Sequence, residues 1–145
     1  MSVNQKKIWI TGASSGIGKA LTEKFALEGW RVAASARRKE ILDEMANNEN
    51  IFSYPLDVTN QNQINEISSK ITNDFGNLDL CVFSSGTYDP KLEQEINIKQ
   101  NKFVMETNFF GVLHCIKSVE KYFKDKKSGH ISIVSSIAAY RGLPN

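Results

Sequence analysis

Thr11-Gly12-Ala13-Ser14-Ser15-Gly16-Ile17-Gly18 decides how this chain reads. An apolar run, Ile8-Trp9-Ile10, leads into it. A segment of helical period leaves it, with Ile17, Ala20, Leu21, Phe25 and Leu27 mostly at steps of three and four. Strand, glycine turn and helix in that order form the phosphate site of a dinucleotide-binding βα unit. Glycines let the backbone turn sharply and approach a pyrophosphate closely. The first N–H groups of the helix have no intrahelical partner and lie at the positive end of its dipole, so they can donate to phosphate oxygens.

The spacing of Gly12, Gly16 and Gly18 is G-x-x-x-G-x-G, not the common G-x-G-x-x-G. A mononucleotide loop, G-x-x-x-x-G-K-[ST], nearly fits because Lys19 follows Gly18. It fails at Ala13, where the first glycine belongs, and at Ala20, where a hydroxyl would hold magnesium. NTPase chemistry is set aside on those two positions.

Apolar runs alternate with helical segments along the rest of the chain. Strands are expected at Lys7–Thr11, Arg31–Ala36, Ile51–Leu56, Leu78–Phe83 and His130–Val134, and helices at Ile17–Glu28, Lys39–Asn47, Asn60–Phe75 and about Lys99–Tyr122. Gly29 fits a helix stop. Ile64, Ile67, Ile71 and Phe75 mark the buried stripe of the third helix; Phe103, Phe110 and Val119 are expected to be buried in the fourth. The stretch from Thr87 to Ile98 has no clear period and reads as a mobile loop. The expected fold is α/β: a Rossmann-type, doubly wound parallel sheet of about five strands, one domain over residues 1–145, C-terminally incomplete. Its fifth strand would be an unprotected edge.

The bulk numbers agree with a soluble enzyme-sized domain. Of 145 residues, 41% are hydrophobic and 23% charged, with net charge +2. The short basic runs at Arg37–Lys39 and Lys124–Lys127 do not make a nucleic-acid surface. Cys81 and Cys115 lie in apolar segments without metal-ligand spacing, so no metal site is expected and both thiols read as buried and reduced. No apolar run has the length of a membrane span, and residues 1–7 are polar, so the chain reads as cytoplasmic.

The octet Thr11–Gly18 (TGASSGIG) resembles the cofactor loop of the short-chain dehydrogenase/reductase family, and later landmarks follow in that family's order. Asp57-Val58 resembles the pair that contacts adenine. Ser84-Ser85-Gly86 stands where the family has Asn-Asn-Ala-Gly or similar, keeping only the glycine and small size. Asn108 resembles the active-site asparagine, and Ser135-Ser136 the segment of the catalytic serine, with Ser136 chosen. The resemblance implies cofactor binding by Gly12, Ser14, Ser15, Gly16, Ile17, Gly18, Asp57, Val58, Ser84 and Gly86. It also implies that Ser136 polarises a substrate oxygen and that Asn108 holds a proton-relay water.

The cofactor choice rests on the end of the second strand, where a carboxylate would select NAD. Here Ala36 is followed by Arg37 and Arg38, so Arg37 is expected to grip a 2′-phosphate, with Arg38 on the adenine or in solvent. NADP is preferred over NAD. The substrate would be a small carbonyl or alcohol, and the intact protein a homo-oligomer.

The family's proton donor is a Tyr with a Lys four residues on, a dozen or so residues after the serine. Tyr140 is followed four residues later by Pro144, and the sequence ends nine residues after Ser136. The chain is therefore expected to lack the Tyr-x-x-x-Lys pair, to be an N-terminal portion and to be inactive alone. A non-catalytic dinucleotide-binding module or decayed fragment is the alternative. The epimerases and dehydratases of the extended group are disfavoured, because their G-x-x-G-x-x-G spacing is not present.

Overall fold

Parallel strands buried on both faces dictate the layering. In the computed structural model, which describes residues 5–88 and 96–141, β1 (Lys7–Thr11) and β2 (Arg31–Ser35) are buried at every position after the first. With β3 (Ile51–Ser53), β4 (Leu80–Phe83) and β5 (His130–Ile133) they form one parallel sheet of order β3-β2-β1-β4-β5. The expected doubly wound α/β architecture is thus present. Side chains alternate across the sheet. Ile8 and Ile10 join Val32, Ala34 and Val82 on one face. Trp9 joins Ala33, Cys81 and Phe83 on the other, against Ile64, Ile71, Cys115 and Val119. Trp9 meets Phe83 edge-on at 5.6 Å, and its indole N–H donates to Ser35 Oγ at 2.9 Å, so the large central ring leaves no polar atom unpaired.

The helices are α1 (Gly16–Leu27), α2 (Lys39–Met45), α3 (Gln61–Phe75), α4 (Ile98–Met105) and α5 (Gly111–Lys126). The third strand is shorter than the expected Ile51–Leu56. Pairing nevertheless runs on, since Tyr54 N–H donates to Ala34 O and Leu56 N–H to Ala36 O, both at 2.9 Å. Pro55, which has no N–H to give, falls between those bonds on the sheet edge.

The expected single helix from Lys99 is interrupted. Residues Glu106–Phe110 form a π-helical turn between α4 and α5, and the Gly111 N–H reaches back five residues to Glu106 O. This turn decides which face is buried. The inner seam is Thr107, Gly111, Cys115 and Val119, a strict step of four. Phe103 is half-buried, and Phe110 is exposed rather than buried, because it lies one residue off that seam. Gly111 keeps the seam close: a Cβ there would stand 2.8 Å from Val58 O.

A similar small-residue face runs along α1 beside Leu21 and Phe25, which pack half-buried against the core as their spacing implies. Gly18, Thr22 and Ala26 are buried, while Ile17 and Leu27 are exposed. The expected loop Thr87–Ile98 lies partly outside the described residues, which omit 89–95; α4 starts at Ile98, where Asn97 Oδ1 accepts from Gln100 N–H.

Two outcomes follow. Gly111→Ala should push α5 off Val58 and lower unfolding free energy by about 1–3 kcal/mol in urea titration, the range for overpacking a closed contact. Burial raises both thiols, Cys115 to about 12, whereas an unfolded thiol titrates near 8.5. The raised folded pKa makes this contribution complete below about pH 8, and it is lost as pH rises because only the unfolded chain ionises. Urea stability should therefore fall between about pH 8 and 10, and a thiol reagent should label neither cysteine until the chain unfolds.

Candidate active site at the carboxyl end of the sheet

β1, β2 and β4 end in register, Thr11 opposite both Ser35 and Phe83, and the loops that leave them meet at one edge of the sheet. Strand order reverses there, between β1 and β4, which is where open α/β sheets bind ligands. A cleft of about 630 Å³ occupies that place. Gly12, Ser14, Ser15, Gly16 and Ile17 line it from the glycine loop, Arg37 and Arg38 from the end of β2, Asp57 and Val58 from the loop after β3, and Ser84 and Gly86 from the loop after β4.

The glycine loop is built by close contact. Gly12 has φ +70°, and a Cβ on it would lie 2.6 Å from Ser84 O. Gly18 does not line the cleft; a Cβ there would lie 2.2 Å from Gly12 O, so its bareness lets α1 pack onto the turn. Gly16 would meet nothing within 4 Å, and its side faces open space. The start of α1 is also left uncapped. Ser15, its N-cap, makes no side-chain bond to the helix and the first turn holds no acid, whereas Asn60 and Asn97 cap α3 and α4. Free N–H groups at a dipole's positive end, beside an open glycine, suit a pyrophosphate.

Other candidates take specific partners. Arg38 donates from Nε (3.1 Å) and Nη2 (2.9 Å) to Ser14 Oγ, so it lies neither free in solvent nor away from the loop. Arg37 extends the other way, its guanidinium 6.0 Å from the Phe103 ring. Asp57 Oδ1 accepts from Thr59 N–H (2.9 Å) and Thr59 Oγ1 (2.8 Å), which closes the turn after β3.

Asn108 and Ser136 stand outside the cleft wall. Asn108 sits in the π turn and grips one peptide twice: Oδ1 accepts from Thr87 N–H at 2.7 Å, and Nδ2 donates to Thr87 O at 2.8 Å. It thereby ties the helix to the loop that carries Ser84–Gly86. Ser136 Oγ accepts from Ala138 N–H at 3.1 Å at the head of the short turn Ile137–Ala139. That bond uses one lone pair and leaves the hydroxyl proton to donate elsewhere.

The sequence does contain one Tyr-x-x-x-Lys spacing, contrary to the expectation above: Tyr122 and Lys126. Both belong to α5 at the opposite end of the sheet. Tyr122 Oη accepts from Leu78 N–H at 2.8 Å, and Lys126 Nζ donates to Leu78 O at 2.6 Å and to Asp79 Oδ1 at 3.2 Å. They anchor the entry to β4 and face no part of the cleft. Five cleft residues were not among those assigned to the site from sequence: Ala36, Leu56, Ser85, Thr107 and Val134. All but Val134 adjoin a residue that was.

The family model for short chain dehydrogenases matches residues 6–145. The chain belongs to the short-chain dehydrogenase/reductase family. Among this family's curated members it is 34% identical over 142 residues to Oxidoreductase BOA17 of Botryotinia fuckeliana, covering 95% of this chain and 52% of the relative. It is 33% identical over 149 residues to the 3-oxoacyl-[acyl-carrier-protein] reductase FabG of Thermotoga maritima, covering 99% and 61%. The structure of ElxO with NADP bound superposes with TM-score 0.89 at 32% identity, over 97% of this chain and 59% of that one. The chain thus spans only half to three-fifths of these relatives' lengths. Among the described residues no group of three or more His, Cys, Asp or Glu could hold a metal, and no helix is long and apolar enough to cross a membrane.

Asn108→Ala should free the loop after β4 while keeping the fold. Hydrogen exchange at the Thr87 amide should accelerate about fivefold or more, matching a loss of about 1 kcal/mol. Unchanged exchange there would mean the clamp does not hold the loop.

Proposed function

We propose that this chain binds NADP(H) in the cleft and is the cofactor-holding part of an oxidoreductase that moves a hydride between that cofactor and a small carbonyl or alcohol. The observation that carries this is the uncapped start of α1 behind an open glycine, with two arginines and no carboxylate at the end of β2. A bound nicotinamide would supply the hydride. This chain's residues supply the hold: N–H groups of the Gly16–Gly18 turn for the pyrophosphate, and guanidinium groups for the 2′-phosphate. Arg37 grips that phosphate. Arg38, fixed on Ser14, adds positive charge beside it and keeps Ser14 turned into the cleft. Asp57 and Val58 border the base, and Ser84 and Gly86 border the nicotinamide half.

Ser136 is assigned to the substrate oxygen through its unspent O–H, and Asn108 to shaping the loop beside it. Neither is a strong proton donor at neutral pH, and Tyr122–Lys126 is too far from the cleft to serve. The 145 residues alone should therefore bind cofactor without turnover. The likeness to relatives named as an oxidoreductase and a reductase, and to a neighbour solved with NADP, supports the redox reading. The second reading, a dinucleotide-binding module without catalysis, is favoured by the structural use of the one Tyr-x-x-x-Lys pair.

Fluorescence titration of the purified chain should show NADPH binding tighter than NADH. Arg37→Asp should weaken NADPH about ten- to a hundredfold, the range for a charge-assisted bond turned repulsive, and leave NADH nearly unchanged. An unaltered ratio would remove Arg37 from this role. Oxidation of NADPH by the 145-residue chain with a carbonyl substrate would refute its incompetence.

A further inference from the structure

An edge strand pairs on one side only, so alternate residues keep their backbone groups turned outward. On β3 the pairing with β2 fixes which residues these are. Val32 N–H donates to Asn50 O, Tyr54 N–H to Ala34 O and Leu56 N–H to Ala36 O, so the even-numbered residues face β2. Ile51, Ser53 and Pro55 therefore present their backbone groups to the outside. Ile51 N–H turns back to Asn48 O at 3.0 Å, and Pro55 has no N–H. Ser53 keeps both its N–H and its C=O, and among the described residues neither has a partner. The edge is blunted on both sides of one open residue.

That residue lies in a groove of about 430 Å³ that shares no residue with the cleft at the carboxyl end of the sheet. Ile51, Phe52, Ser53 and Tyr54 form its floor, about 13 Å of strand. Ala46, Asn48 and Glu49 wall it on the α2 side, Lys70 and Asp74 on the α3 side. The α3 wall carries no net charge: Tyr54 O–H and Lys70 Nζ both donate to Asp74 Oδ2, at 2.8 and 3.0 Å. Phe52 is braced, with the Arg31 guanidinium 4.7 Å from its ring and the Phe75 ring 5.3 Å away. The α2 side is acidic. From Lys39 to Glu49 one lysine stands against Glu40, Asp43, Glu44 and Glu49, in a chain whose net charge is +2. Glu49, on the groove wall, has no ion-pair partner among the described residues.

We propose that this groove is a docking site for a short, extended, basic peptide segment of a partner protein, added to β3 as an antiparallel strand centred on Ser53. The inference does not rest on the dinucleotide reading. A residue opposite Ser53 exchanges both N–H···O bonds with it, and the partner's N–H groups two residues to either side reach the open carbonyls of Ile51 and Pro55. Side chains on the two neighbours of that residue fall on the α3 face, against Phe52 and Tyr54. Those two residues away fall on the α2 face, where a lysine or arginine meets the unpaired Glu49. A second copy of this chain fits worse. In a two-fold pairing of β3 with β3, each Pro55 would stand opposite an Ile51 and offer it no N–H, and two acidic α2 segments would approach one another.

The test follows amide resonances of the 15N-labelled chain while the capped pentapeptide KVTVK is added to millimolar concentration. The Ser53 amide should shift saturably, and its hydrogen exchange should slow about fivefold. The capped peptide EVTVE should bind about tenfold more weakly, and Glu49→Gln should weaken KVTVK about threefold. KVTVK methylated at the backbone nitrogen of its threonine should lose binding, a control that leaves the protein untouched. No saturable shift at Ser53 would sink the proposal, as would shifts confined to Gly16 and its neighbours. Equal binding of EVTVE, or unchanged binding by Glu49→Gln, would refute the basic character of the occupant. Equal binding of the methylated peptide would refute strand addition. Protection of the Ser53 amide that grows with protein concentration, without peptide, would make a second copy the occupant and overturn the assignment to a partner.

Discussion

A missing side chain holds this molecule's working end together. Any Cβ at Gly18 would sit 2.2 Å from Gly12 O, and any at Gly12 would sit 2.6 Å from Ser84 O. Two bare α-carbons therefore stack α1, the turn that feeds it and the loop after β4 at distances no other residue permits. The result is geometric before it is chemical. The first N–H groups of α1 come to lie beside the C-terminal ends of β1 and β4, at the point where strand order reverses. A dipole end needs to be close to its anion, since the effect fades within the first turn.

The same device recurs on the far side of the sheet. Gly18–Thr22–Ala26 in α1 and Thr107–Gly111–Cys115–Val119 in the π turn and α5 are faces of small residues at steps of four. Hydropathy reads such faces poorly. Large apolar residues such as Ile17, Leu27 and Phe110 attract attention in a sequence, yet all three are exposed. The strands and α3 were legible because their burial follows size and apolarity: Ile64, Ile71 and Phe75 are buried as their spacing requires. The π turn was not legible, because no local residue preference announces one extra residue in a helix. It follows from two tertiary bonds of Asn108 and from the contact of Gly111 with Val58.

The cleft shows a similar division. Most of its wall could be read from the glycine octet and from small residues following strands, because Gly, Ser and Asp at those places have few other uses. Roles within the wall could not. Spacing alone cannot distinguish a Tyr–Lys pair that performs chemistry from one that fastens a strand, and Tyr122 with Lys126 does the latter through Leu78 and Asp79. Nor can it tell whether an asparagine amide is free: Asn108 spends Oδ1 and one N–H on the Thr87 peptide.

Two adjacent arginines read alike in a sequence and differ in the fold because the strand that precedes them stops. Past Ala36, whose carbonyl still accepts from Leu56 N–H, the chain leaves the sheet, and the two side chains diverge, Arg38 toward the glycine loop and Arg37 toward α4. Arg38 gives two N–H groups to one neutral oxygen, a bond pair that orients a planar guanidinium without neutralising it. Its charge stays available to the cleft, and its ordering cost falls on folding rather than on binding. Arg37 has only the weaker attraction of a ring face 6.0 Å away, and gives it up at small cost. One arginine is thus held against the glycine loop by two hydrogen bonds, while its neighbour is held by a ring contact alone, a difference that the proposed cofactor site would use.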